Sequence, residues 1–325
     1  MISAKLQSGD EIRVVSPATS LAVISVENRQ IAHEALQYLG FKVTYGINVA
    51  ECDVFNSSTV AARLEDLHQA FADPQVRGIL TSIGGFNSNQ LLQGLDYDLI
   101  QANPKVFCGY SDITALSNAI YAKTGLVTYS GPHFSTFGMH RGLDYTLTAF
   151  KNCLMDDRPC AVLPSDQWSD DAWYSDQINR TFEENPGFLT LNEGQAEGTL
   201  IGGNLCTLNL LQGTEFMPSL ADQIVLLEDD YESQPLTFDR DLQSLLHQPG
   251  FEQVRGLLIG RFQHASHMTQ ELLTQIIRSK PALDKIPVLA NADFGHTTPH
   301  FTFPIGGRGR LVVEGEQASF TLLEH

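Results

Sequence analysis

Two rhythms of apolar and polar positions alternate along the first half of this chain. "EIRVVSP" (residues 11–17) is a short apolar run that reads as a buried strand. "ENRQIAHEALQYLG" (27–40) follows with Ile31, Ala35, Leu36 and Leu39 at helical spacing and Gly40 as a stop. "FKVTYG" is the next strand, "AARLEDLHQAFADP" (61–74) a helix ending before Pro74, and "VRGILTSIGG" (76–85) a strand running into paired glycines. "NSNQLLQGL" predicts a short helix, "KVFCGY" a strand, "SDITALSNAIYAKTG" a helix and "LVTYSGP" (126–132) a strand. Apolar strands separated by helices imply a parallel, doubly wound sheet covered on both faces.

The rhythm breaks over residues 150–195, which are polar, acidic and without helical periodicity, and which hold both tryptophans, Trp168 and Trp173. This stretch reads as a linker or surface excursion between domains. A second block opens at "GTLIGGNLCTLNLLQG" (198–213). It continues with the strand "QIVLLEDD", the helix "DRDLQSLLHQ", the strand "VRGLLIGRF", the helix "TQELLTQIIRSK" and the strand "PVLANADFG". A hairpin from "GRLVVEGE" to "ASFTLLE" closes it. The expectation is an α/β protein with an N-terminal domain over 1–165, a linker or substrate loop over 166–197 and a smaller C-terminal α/β domain over 198–325.

Charge narrows the function. Twenty basic residues stand against 38 acidic ones, a formal net charge of −18. A surface this acidic repels phosphate backbones and anionic lipid, so neither nucleic acid nor membrane is an expected partner. Met1 precedes no basic, apolar leader, and no window approaches a membrane span, so a cytoplasmic location is expected. The five cysteines are widely spaced with no CxxC pair, and no HxH or HExxH occurs. Neither a disulfide framework nor a metal site is indicated.

Chemistry-bearing residues cluster where strands end, the place where ligands gather in doubly wound folds. Ser111, in "GYSD", follows the "KVFCGY" strand and opens a helix. It is either an ordinary helix N-cap or a nucleophile on a tight strand-to-helix turn, with the Asp112 N–H placed to meet an oxyanion. The match to G-x-S-x-G is partial, since Ile113 stands where the second glycine would be. Gly84 and Gly85 are a tight turn or a second source of oxyanion donors. Glu228 and Asp229 end the "IVLLEDD" strand, where a carboxylate can orient a histidine. His296, in "ADFGHTTPHFTFP", follows a strand and can shuttle a proton; His133 and His300 compete for that role. The chain order Ser, acid, His, each at a strand end, favours a nucleophilic hydrolase.

These stretches resemble the LD-carboxypeptidase family of serine peptidases, and within it the branch of microcin C self-immunity peptidases. The resemblance is carried by "GDEIRVVSPAT", "GILTSIGGFNSNQLL", "FCGYSDITAL", "YSGPHF", "EGTLIGGNLCTLNLL", "IVLLEDD", "RGLLIGRF" and "ANADFGHTTPHFTFPIGG", nearly the whole chain. It implies a Ser111–Glu228–His296 triad with oxyanion donors from Gly85 and Asp112. It also implies a flavodoxin-like or class I amidotransferase-like N-terminal domain, a homodimer, and no metal or cofactor. "IGGFNSN" and the tryptophan-bearing segment point to the immunity branch, whose substrates join a C-terminal aspartyl or aminoacyl group to a nucleotide. On that resemblance Trp173, with Trp168 second, is expected to stack on a nucleobase, the alternative being packing at the domain interface. Asn87 and Ser88 are expected to hydrogen-bond the substrate, the alternative being that Ser88 or Asn89 caps the short helix. Murein tetrapeptide trimming and non-catalytic ligand binding are the alternatives.

Overall fold

The structure, a computed structural model, describes residues 1–315 and 317–325. Its strands are β1 (Glu11–Val15), β2 (Lys42–Tyr45), β3 (Val76–Thr81), β4 (Val106–Cys108), β5 (Thr128–Ser130), β6 (Cys160–Val162), β7 (Gln167–Trp168), β8 (Glu183–Glu184), β9 (Leu189–Asn192), β10 (Gly194–Asn204), β11 (Gln223–Glu228), β12 (Gly256–Gly260), β13 (Val288–Ala292), β14 (Phe303–Ile305), β15 (Arg308–Glu314) and β16 (Gln317–Glu324). The first sheet has the order β14-β5-β4-β3-β1-β2. Its five N-terminal strands are parallel in the order 2-1-3-4-5, the flavodoxin-like arrangement the resemblance implied.

The second sheet runs β6-β16-β15-β10-β11-β12-β13-β9. Strands β10 to β13 are parallel, and antiparallel neighbours close both flanks. Each sheet borrows from the other part of the chain. Strand β14 pairs antiparallel with β5, Pro304 lying opposite Tyr129, while β6 pairs with β16. A proline is tolerated in β14 because it is an edge strand, where the missing N–H costs no interior ladder bond. The segment expected to be a linker supplies the two-residue pair β7–β8 and the edge strand β9.

Alternate residues of the central strands feed two apolar layers, as the period of two requires. Val225 and Leu227 point into one layer, Ile224 and Leu226 into the other, and each layer runs through both sheets. The join is the helix Thr114–Thr124, buried on most of its circumference. Its Asn118 side chain donates to the Gly202 carbonyl at 2.8 Å and accepts from the Gly202 N–H at 3.2 Å. Thr114 Oγ1 accepts from the Asn204 N–H at 3.0 Å. Gly203 must be glycine for this contact: a Cβ there would stand 2.4 Å from Thr114 Oγ1. The helix that begins just after Ser111 is thus fastened to the sheet that carries Glu228. Among the described residues no helix is long and apolar enough to cross a membrane.

Candidate active site

Ser111 sits at the end of β4 with φ of +58°, a left-handed backbone conformation unusual for a residue with a side chain. Such strain, about 1–3 kcal/mol, persists only where surrounding structure enforces it. The hydroxyl caps no helix: the short 3-10 turn Ser111–Ile113 and the helix after it make no side-chain cap bond. Instead Ser111 Oγ lies 2.9 Å from His296 Nε2, and His296 Nδ1 lies 2.7 Å from Glu228 Oε2. A carboxylate only accepts, so in the neutral ring Nδ1 carries the proton and Nε2 accepts from the serine hydroxyl.

The three side chains come from three strand ends in two sheets. Glu228 is the last residue of β11 and 2% exposed; His296 lies in the loop after β13. That loop passes close over Glu228 because Gly295, with φ of +107°, has no side chain; a Cβ would meet Glu228 Oε2 at 2.6 Å. Burial works against the imidazolium, but the Glu228 carboxylate, with Asp230 and Asp229 nearby, overcomes it and raises His296 to about 9. Asp229 faces elsewhere, accepting from Asn204 Nδ2 at 3.2 Å, and burial beside Glu228 pushes its carboxyl up to about 7.

Of the competing histidines, His296 is the one that bridges Ser111 and Glu228. His133 and His300 flank Tyr110, whose ring stacks on His133 at 4.3 Å and tilts against His300 at 4.9 Å. Burial, then the nearby His296, brings His300 down to about 4.

The glycine pair closes the other side of Ser111. The Gly84 carbonyl accepts from the Thr19 N–H at 3.1 Å, so the Gly85 N–H, trans across the same planar peptide, turns away from Thr19. Neither this N–H nor that of Asp112 donates to a protein acceptor among the described residues. The turn is held by side chains expected to do other work. Ser88 donates its N–H to Asp112 Oδ2 at 2.9 Å and its hydroxyl to the Asp112 carbonyl at 2.7 Å. Asn87 Oδ1 accepts from Arg63 at 3.0 Å. Neither Asn87 nor Ser88 lines the cavity: Ser88 is engaged with Asp112 and Asn87 Oδ1 with Arg63, and a substrate contact by either stays an expectation.

Above Ser111 opens a cavity of about 570 Å³, within the usual range for small-molecule sites. Trp173 lines it, with Phe86, Tyr174 and Tyr231 exposed at its mouth. Trp168 does not line it: it is 7% exposed, under the Arg261 guanidinium at 4.8 Å. The segment carrying Trp173 is pinned by a reciprocal backbone pair between Ser169 and Thr298, at 2.7 and 2.9 Å. Arg180, its side chain fully buried, holds Asp171 at 2.7 Å. Sequence reasoning missed Tyr110, Asn118 and this bridge. Asn118, a polar residue within "ITALSNAIYA", was the one visible signal. No group of His, Cys, Asp and Glu among the described residues is arranged to hold a metal ion.

Comparison with known proteins agrees over the whole length. Residues 12–131 match the LD-carboxypeptidase N-terminal domain and residues 197–311 the LD-carboxypeptidase C-terminal domain. YocD of Bacillus subtilis (strain 168), which carries a provisional carboxypeptidase name, is 57% identical over 96% of this chain and 96% of its own. The Microcin C7 self-immunity protein MccF of Escherichia coli is 34% identical over 99% of this chain and 96% of its own. A crystal structure of an MccF-like protein from Bacillus anthracis str. Ames superposes with a TM-score of 0.99 at 55% identity, covering 100% of both chains. MccF in complex with aspartyl sulfamoyl adenosine superposes with a TM-score of 0.90 at 31% identity, covering 100% of this chain and 99% of that one.

Proposed function

The chain belongs to the LD-carboxypeptidase family, and from that membership we propose a serine amidase that cleaves the amide joining an aspartyl or other aminoacyl group to a nucleotide, as in processed microcin C. One observation carries the chemistry: the unbroken relay from Ser111 Oγ through His296 to Glu228, with both links under 3 Å. Ser111 attacks the carbonyl. His296 Nε2 takes the serine proton and then delivers it to the leaving nitrogen. Glu228 fixes the ring orientation and stabilises the imidazolium. The N–H groups of Gly85 and Asp112 stabilise the oxyanion, aided by the helix N-terminus that follows Ser111. Water then releases the acyl group along the same proton route, with no metal or cofactor required.

The nucleotide preference is supported by the 31%-identical MccF structure with aspartyl sulfamoyl adenosine. It is also supported by a cavity walled by Trp173, whose indole offers a base a stacking face. A homodimer, implied by the family resemblance, and a cytoplasmic location, expected from the sequence itself, complete the proposal; light scattering and cell fractionation test them.

The decisive experiment incubates the purified protein with aspartyl sulfamoyl adenosine and, separately, with a murein LD-tetrapeptide, and follows cleavage by mass spectrometry. Turnover of the nucleoside substrate, lost in Ser111→Ala, is expected. Turnover of the tetrapeptide alone would reassign the protein to murein trimming. A fluorophosphonate probe should label Ser111; absence of both labelling and turnover would leave a ligand-binding module.

A further inference from the structure

The cavity wall holds a second imidazole that the proposed reaction leaves idle. His133 lies just beyond β5, is 2% exposed, and lines the cavity. Its Nδ1 is 2.7 Å from Thr81 Oγ1, and the Thr81 hydroxyl donates onward to the Cys108 carbonyl at 3.4 Å. A hydroxyl has one proton to give. In the state in which that proton goes to the carbonyl, which the contact inferred below requires, the Thr81 oxygen accepts from His133 and the ring carries its proton on Nδ1. Nε2 is then a bare acceptor, buried and without a hydrogen-bond partner among the described residues. Burial, with His300 and His296 nearby, holds this imidazole well below its ordinary range, which keeps it neutral. An unmet polar atom in such a place costs free energy until something donates to it.

Its position says what that donor is. The point a Cβ on Gly84 would occupy lies 2.9 Å from Ser111 Oγ and 3.5 Å from His133 Nε2. The attacking oxygen and the idle nitrogen therefore face one small volume. An acyl residue whose carbonyl carbon rests on Ser111 holds its α-nitrogen two bonds from that carbon, inside the same volume. The charge of the wall agrees. Among the described residues the lining includes no Lys or Arg, yet includes Asp170, Asp171 and Asp230. Asp171 is matched by Arg180, and Asp170 accepts from Gln263 and the His264 N–H. Asp230 accepts from the Glu232 N–H and shares the wall with His296, whose imidazolium it helps to favour. A wall lined by these carboxylates and by no Lys or Arg accommodates an ammonium group beside Ser111.

We infer that His133 Nε2 accepts a hydrogen bond from the free α-ammonium of the acyl residue under attack, which makes His133 a substrate-binding residue. This rests on the amidase reading above. The alternative is that His133 only packs against Tyr110.

The test compares aspartyl sulfamoyl adenosine with succinyl sulfamoyl adenosine, the same molecule without the α-amine, on the full-length protein. The wild type should favour the aspartyl form in kcat/KM by about 10- to 100-fold. His133→Phe keeps an aromatic ring against Tyr110; it should lower kcat/KM on the aspartyl form by about tenfold, mainly through KM, and leave the succinyl form within about twofold. His133→Gln, which restores an acceptor, should recover part of the loss. Equal losses on both substrates, or a wild type indifferent to the amine, would overturn the inference. Should the wild type cleave neither compound, the amidase reading fails instead. Calorimetry on Ser111→Ala and Ser111→Ala/His133→Gln then still decides the point, since preferential binding of the aspartyl form must weaken without His133. If His133→Phe does not fold, the wild-type substrate pair and His133→Gln decide the same question.

Discussion

The floor of the cavity and its rim are built by different means. On the floor, Ser111, Glu228 and His296 stand at the ends of β4, β11 and β13, where ladders of backbone hydrogen bonds fix the strands that present them. At the rim, the stretch from Ser169 to Tyr174 borders the cavity without belonging to either large sheet. It is held by the Ser169–Thr298 pair, the Arg180–Asp171 ion pair, and Gln177 donating to Asn28 and to the Gly138 carbonyl. Backbone ladders place the proposed reacting groups, and individual side chains place the proposed recognition surface. On that reading a substitution on the floor strikes the chemical step, whereas one on the rim strikes binding.

Breaking the floor should produce the largest effects. Ser111→Ala or His296→Ala should lower kcat by about 10⁴- to 10⁶-fold with circular dichroism unchanged. A fall of less than a hundredfold would remove that residue from the proton relay. Glu228→Gln keeps the shape but presents a donor as well as an acceptor to Nδ1, so the ring loses its enforced tautomer. The expected loss is about 10³- to 10⁴-fold in kcat with little change in KM.

The pH profile sharpens the same contrast. His296 must be neutral to accept the serine proton, and its pKa is raised to about 9, so kcat/KM should climb as pH rises through that value. Stability should move the opposite way. A histidine raised above its unfolded value of about 6.5 contributes fully below that pH and loses its contribution as pH rises through about 9. An NMR titration of His296 showing its midpoint below the unfolded value would contradict both trends.

Asn118 tests the fastening between the sheets. Asn118→Leu leaves the buried Gly202 N–H without the side-chain acceptor it has now and should cost about 1–3 kcal/mol in denaturant unfolding. The smallest effect belongs to the rim: Trp173→Ala should raise KM for the nucleoside substrate by about threefold to tenfold and leave kcat in place. Unchanged KM would end the stacking role.

What could be read in advance divides along the same line. The parallel strands were legible because both faces of each are covered, which writes near-continuous apolar runs such as "GILTSIGG" and "QIVLLE". Ser111, Glu228 and His296 stood out because each follows such a run. The rim had no periodicity to read, since its bonds are single side-chain contacts between distant residues, such as Asn28 with Gln177. The engagements of Asn87 and Ser88 were hidden for a related reason: polar residues beside a glycine turn look free in sequence, while Arg63 holds Asn87 Oδ1 and Asp112 holds Ser88. Strand β14 hid behind Pro304, which argues against a strand everywhere except at an edge. On its own stretch Ser111 stood open between helix cap and nucleophile; its hydroxyl lies on His296 rather than on the helix.

The exchange of strands has a mechanical consequence. The loop bearing His296 leaves the second sheet at β13 and enters the first at β14, so it is a strap anchored at both ends to different bodies. Clamshell opening of the two sheets would drag this strap and pull the imidazole off Ser111. Under the proposed function, substrate would then pass over the rim while Ser111, His296 and Glu228 keep their alignment.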